Sequence, residues 1–170
     1  MLIRRLISSD AAPFQALRLL ALRESPTAFG SSHEEEYATP LSIIEGYLAP
    51  DSGRNMFGAF VDGELIGMVA IGREAGHKSR HKGYIRAMYV GAPQRGMGAG
   101  KKLLEQALAF AATLNGLHHI TLTVTADNAG AIAMYQSAGF KVFGHEPGGL
   151  LVEDVLYDVT HMVRISKRLS

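Results

Sequence analysis

Apolar and polar positions change their period several times along the chain, and each change predicts an element. Leu2-Ile3-Arg4-Arg5-Leu6 is short and apolar enough for an opening strand, and Ser9 or Asp10, with Pro13 nearby, supplies a helix start. Phe14, Leu17, Leu20 and Ala21 predict one buried helix face. Ser25-Pro26 ends that pattern, because proline disfavours helical geometry in the residue before it. A polar stretch from Gly30 to Thr39 holds Glu34, Glu35 and Glu36, and Leu41 to Leu48 predicts a second helix closed by Pro50. Met56 to Val61 and Leu65 to Ile71 flank Asp62-Gly63, the dipeptide of a tight hairpin.

Gly72 to Lys82 is basic and rich in turn formers, and Gly83 to Gly91 predicts a further strand, ended by Pro93. Leu103, Leu104, Ala107, Leu108 and Ala111 keep a helical period between Lys101 and Leu114, with Gly116 placed for a left-handed cap. Ile120, Leu122 and Val124 alternate with threonines as in a strand, and Asp127 or Asn128 caps a short helix that ends near Gly139. Phe140 to Phe143 predicts a short strand, Pro147-Gly148-Gly149 a loop, and Tyr157 to Ile165 a last strand. This is a mixed α/β layout without an internal repeat. The hairpin requires antiparallel strands, while the strands on either side of the long helix are expected to be parallel through a crossover.

Composition narrows the function. The 170 residues predict one domain, and 47% hydrophobic with 19% charged residues excludes a disordered chain. Seventeen basic against sixteen acidic residues leave a formal charge of +1, so neither nucleic acid nor an anionic membrane is an expected partner, and any anion must be bound locally. The absence of cysteine excludes a thiolate metal site and a thiol nucleophile. Met1 to Leu6 is too short and polar for a signal-peptide core and no apolar run suits a membrane span, so a cytoplasmic location is the expectation.

The chemistry concentrates in Arg95-Gly96-Met97-Gly98-Ala99-Gly100, between a predicted strand and the most regular helix. Three glycines let main-chain N–H groups approach a ligand, and the positive end of a helix favours an anion, phosphate above all. A dinucleotide fingerprint from Gly96 needs glycine where Lys101 stands. A nucleoside-triphosphate loop ending at Gly100-Lys101 needs glycine at Arg95 and Ser or Thr at Lys102. Both fail, whereas R-x-x-G-x-G is satisfied. A glycine-rich turn that binds nothing is the competing reading. Farther on, Asn128, Ala131 and Tyr135 stand at i, i+3 and i+7 and share one helix face.

These segments resemble the GNAT superfamily of acetyl-CoA-dependent N-acetyltransferases. The resemblance is carried by Met88-Tyr89-Val90, by Arg95 to Gly100 with Leu103-Leu104 behind it, and by Asn128, Ala131, Tyr135 and Gly139-Phe140. It implies a GNAT-like α/β fold, a mixed, mostly antiparallel twisted sheet of about six to seven strands flanked by about four helices, over a single domain spanning the chain. It implies acetyl-CoA as co-substrate, with Met88, Tyr89 and Val90 along the pantetheine arm, Arg95, Gly96, Met97, Gly98, Ala99 and Gly100 at the pyrophosphate, and Asn128 and Ala131 beside them. Tyr135 is then the catalytic acid near the sulfur, since a phenol of pKa near ~10 is protonated at neutral pH. The acceptor is expected to be a primary amine of a small molecule or peptide, attacking directly, and a homodimer is compatible with the family. A non-catalytic acyl-CoA-binding regulatory module is the alternative function.

The base stays open. A lysine-like amine of pKa ~10.4 is neutral in only about one molecule in 2,500 at pH 7, so a proton must leave. The strand Lys82 to Gly91 contains no carboxylate, which departs from a common family pattern. Glu34, Glu35 or Glu36, or a water-mediated route, are the candidates, with Asp154, Asp158 and His161 behind them. His77, His81, His118 and His119 lack a matching carboxylate, so no metal is expected.

Overall fold

The structure is a computed structural model that describes residues 1–50 and 55–166. Seven strands form one sheet in the order β1-β2-β3-β4-β5-β7-β6. They are β1 (Leu2–Arg5), β2 (Asn55–Val61), β3 (Glu64–Arg73), β4 (Lys82–Val90), β5 (His119–Thr125), β6 (Lys141–Val152) and β7 (Val155–Ile165). Five α-helices are present among the described residues: α1 (Ala11–Glu24), α2 (His33–Glu36), α3 (Leu41–Leu48), α4 (Ala99–Thr113) and α5 (Ala129–Ser137). The count exceeds the expected four by α2, a single turn within the polar stretch. Ser32 caps it, its hydroxyl accepting from the Glu35 amide while the Glu35 carboxylate accepts from the Ser32 amide.

Asp62 and Gly63, at φ 50° and 84°, form the two-residue turn that joins β2 to β3. β4 and β5 pair in parallel across α4, and the remaining neighbours are antiparallel. Two cores cover the two faces of the sheet. On one, Leu103, Leu104, Ala107 and Ala111 of α4 pack against Val69, Ile71 and Leu122; on the other, Phe14, Leu17 and Ala21 of α1 with Ile44 and Leu48 of α3 pack against Met68 and Tyr89. Leu20 departs from expectation at 44% exposed. It lies ~100° round the helix from Ala21, and Leu22 and Ala11 fill the buried face instead.

The final hairpin is longer than the expected strand and loop. β6 runs through Pro147-Gly148-Gly149, where the pairing with β7 shifts register between Glu146 and Leu150. Because β6 ends the sheet order, the missing proline N–H removes no bond to a further strand. None of the described helices is long and apolar enough to cross a membrane.

Candidate active site

The site begins with an irregularity in β4. Met68 pairs with Tyr89 and Ala70 with Arg86, so Ala87 and Met88 together face the one residue between, Val69. Ala87 takes φ 54°, a left-handed conformation unusual for alanine, and the strand bulges there. On its other side β4 pairs with β5 only from Lys82 to Tyr84, opposite His119 to Thr121. Beyond that point the two strands diverge, and a cavity of about 460 Å³ opens between Ile85 to Met88 and Leu122 to Thr125. The edge of β4 leading to Val90 is left without a ladder partner from β5.

At the end of β4 a helical turn over Ala92–Gln94 leads into the glycine loop. Gly96 and Gly98 sit at φ 79° and 80°, where glycine avoids the strain a side chain would bring. Gly98 caps α4, and no side chain accepts from the first turn, so the amides of Ala99, Gly100 and Lys101 point outward at the positive helix end. No acidic residue stands in that turn. The loop borders a cleft of about 850 Å³, shared with Met88, Tyr89 and Val90 from β4 and with Asn128, Ala131 and Met134 from α5. An added side-chain carbon at Gly100 would come 3.3 Å from the Met134 sulfur, so α4 and α5 pack closely there. Arg95 donates from Nε to the Val90 carbonyl at 3.0 Å and lies 5.7 Å from the centre of the Tyr89 ring.

Ala28, Met88, Asn128 and Ala131 line both this cleft and the cavity between the diverging strands. The two spaces therefore meet. Tyr135 lies at the inner cavity, 5% exposed, its ring edge-on to Phe140 at 5.9 Å. Burial pushes its phenol up to about 12. The hydroxyl has no hydrogen-bond partner among the described residues, and the residue lines the cavity. Asn128 caps α5 through its Oδ1, which accepts from the Ala131 amide at 3.1 Å, and this fixes the helix face that carries Ala131 and Tyr135.

Of the residues expected at the coenzyme, Met97 alone stands apart, 56% exposed and outside the cleft lining. Tyr89 is buried by its ring, and its hydroxyl donates to Glu24 Oε2 at 2.6 Å. Burial first, then the Glu24 hydrogen bond and charge, push that phenol up to about 12.

The acidic run does not reach the inner cavity. Glu36 accepts from Arg18 Nε at 2.9 Å and Nη2 at 2.7 Å and from the Ser31 hydroxyl. Burial alone would raise its carboxyl, but these bonds and the Arg18 charge hold it below the usual range. Glu34 and Glu35 are exposed. His161 pairs with Glu146 at 2.8 Å on the far hairpin, Asp158 accepts from the Gly148 amide, and Asp154 sits in the turn after β6. Among the described residues, no carboxylate and no imidazole lines the inner cavity.

Its charged residues are Arg18 and Arg86, neither of which sequence reasoning selected. Both also line a third cavity of about 500 Å³ beside the inner one. A signal for Arg18 existed: it lies four residues after Phe14, on the buried face of α1.

The sheet thus opens beside a strand-loop-helix turn rich in glycine. Residues 15–140 match the acetyltransferase (GNAT) family, and the chain belongs to it. It is 34% identical over 106 residues to N-acetylaspartate synthetase of Xenopus tropicalis, covering 62% of this chain and 38% of that protein. Among solved structures, a GNAT-family acetyltransferase from Streptococcus pneumoniae superposes with a TM-score of 0.85 at 28% identity, over 96% of this chain and 98% of the other. A putative acetyltransferase from Salmonella typhimurium, solved with its cofactor acetyl-CoA, has the same fold, with a TM-score of 0.83 at 20% identity over 100% and 96% of the two chains. The chain spans from 24% to 56% of the length of the curated relatives it matches.

Proposed function

We propose that this chain transfers the acetyl group of acetyl-CoA to a primary amine of a small molecule or peptide by direct attack. The observation that carries the reading is the junction of the two spaces: the glycine-loop cleft opens through Met88, Asn128 and Ala131 into the cavity that Tyr135 lines.

The residues suit acetyl-CoA. The amides of the glycine loop and α4 would hold the pyrophosphate, each charge-assisted bond contributing about 1.5 to 3 kcal/mol. The free edge of β4 at Met88 and Val90 would bind the pantetheine arm. Acetyl-CoA supplies a thioester whose carbonyl carbon accepts the amine nitrogen and whose sulfur leaves with the bonding electron pair. A main-chain N–H near Val90 would stabilise the negative charge gathering on the carbonyl oxygen.

Tyr135 serves the departing sulfur. Complete proton transfer from a phenol at about 12 to a thiolate whose acid has pKa ~8.5 would run uphill by roughly 5 kcal/mol. Its first role is therefore to donate a hydrogen bond to the developing thiolate, and the proton lost by the amine restores neutrality through solvent. Water is then the carrier of the amine proton, since no carboxylate among the described residues lines the inner cavity.

Free thiol release from acetyl-CoA, followed across a mixed amine panel with mass-spectrometric identification of acetylated products, tests the proposal. A new amide formed in step with thiol supports it. Saturable coenzyme binding without turnover of any amine would instead favour an acyl-CoA-binding regulatory module.

A further inference from the structure

The acceptor end of the cleft has an unusual charge arrangement. Arg18 is anchored by Glu36 and by Ser31, whose Oγ accepts from Nη2 at 3.0 Å, and its guanidinium lies 4.6 Å from the centre of the Phe29 ring. These contacts occupy Nε and Nη2. Nη1 is buried and has no hydrogen-bond partner. That nitrogen has almost no surface open to the cavity, so Arg18 contributes there a fixed positive charge, partly balanced by Glu36. Arg86 lies 4.1 Å from the Tyr84 ring and has no carboxylate partner among the described residues. Both arginines line the reaction cavity and the cavity beyond it. Among the described residues, the two carboxylates on the outer cavity are already engaged, Glu36 by Arg18 and Glu35 by the Ser32 amide.

Resting on the transferase reading above, we infer that the acceptor is a free α-amino acid with an apolar side chain, its carboxylate read by Arg86 beside the fixed charge of Arg18. A carboxylate is two bonds from the amine nitrogen, which suits arginines that line the same cavity as Tyr135. The side chain extends into the outer cavity against Phe14, Ile44, Leu48 and Ile71. A polyamine would bring a second positive charge toward two guanidiniums. An amino-acid amide or an internal peptide would offer a neutral carbonyl to Arg86.

The test measures kcat/KM by thiol release for the full chain with L-methionine, L-phenylalanine, their amides, the matching decarboxylated amines and spermidine. The amides carry the less basic amines and would win on amine reactivity alone. A preference for the acids by about 10- to 150-fold, the range for one charge-assisted bond, is the expected result. Arg86→Gln should remove most of that preference through KM for the acids while leaving the amides nearly unchanged. Arg86 is exposed and without an ion pair, so the variant should fold; Arg18→Lys, which keeps the charge, gives an independent second reading. Amides, decarboxylated amines or spermidine turned over as well as the acids would overturn this inference and leave acetyl transfer standing, as would Arg86→Gln weakening acids and amides alike. No turnover of any amine, with coenzyme bound, would overturn both readings.

Discussion

Replacing Tyr135 with phenylalanine deletes one oxygen from the reaction cavity and leaves the ring packed on Phe140. The deleted hydroxyl has no hydrogen-bond partner among the described residues, so its loss strands no buried group. Stability should therefore stay within about 0.5 kcal/mol of wild type near neutral pH. The transition state loses a hydrogen bond to a developing thiolate. At about 1.5 to 3 kcal/mol, kcat should fall roughly 10- to 150-fold. The phenol is pushed up to about 12, so between about pH 6 and 10 it stays protonated and the ratio of the two rates should not change. Stability at alkaline pH differs in a fixed direction. A raised phenol pKa contributes stability below the unfolded value of 10.0 and loses it as pH rises toward 12. The phenylalanine variant lacks this loss and should resist alkaline unfolding better. Thiol release under saturating substrates gives kcat, calorimetry gives coenzyme affinity and thermal melts give stability. An unchanged kcat would remove Tyr135 from the mechanism; equal losses of affinity and melting temperature would assign it a packing role instead.

Three further outcomes follow from other parts of the molecule. Gly98→Ala meets no neighbouring atom but must hold φ 80°. Alanine lets the free loop relax out of this conformation, and regaining about 1 to 2 kcal/mol of left-handed strain on binding should weaken coenzyme affinity roughly 5- to 30-fold by calorimetry; an unchanged Kd with an unchanged Tm would place the ligand elsewhere. Asp10 accepts two bonds from Arg4, at 2.7 and 2.8 Å, and one from the Ile7 amide, and the Arg4 bonds lead in lowering its pKa against burial. That stability is present above the unfolded pKa of 3.8 and is lost as pH falls through the lower folded value. Asp10→Asn should cost about 2 kcal/mol at pH 7 and flatten the acid limb of the stability profile, whereas an unaltered limb would show the pair to be weak. Leu104, 1% exposed against the sheet, should cost about 2 to 5 kcal/mol when cut to alanine and lower Tm by roughly 5 to 15 °C; a shift below about 2 °C would mean the helix repacks.

The parts of this fold visible in the sequence are those governed by local chemistry. Asp62-Gly63 announces its hairpin because both residues accept positive φ, and Leu41 to Leu48 forms the predicted helix residue for residue. Asn128 caps α5, and the parallel pairing of β4 with β5 follows from the crossover helix between them. The loop from Arg95 to Gly100 was legible because three glycines in five residues at a helix start have a direct physical reading. Other features depend on tertiary packing. Nothing in Tyr84 to Val90 signals that Ala87 adopts φ 54°, nor that β5 leaves β4 after three paired residues. Arg18 and Arg86 were passed over because their meaning arises only where α1 and β4 face a common cavity. The acidic run attracted notice by composition, yet Glu36 turns to Arg18, and the inner cavity is polar through arginines, threonines and main chain. Leu20 fitted a loose three-residue spacing, and only the full rotation of the helix shows it facing solvent.

The central claim is that main-chain donors from Gly96 to Lys101 hold the phosphates of acetyl-CoA while Met88 and Val90 bind its arm beside Tyr135. Calorimetric titration of the chain with CoA, repeated with dephosphorylated pantetheine, examines it most directly. Saturable one-to-one binding of CoA, at least about 10-fold tighter than pantetheine because charge-assisted amide bonds are lost with the pyrophosphate, is the predicted result. Absence of heat with CoA, or equal affinity for the two ligands, would contradict it.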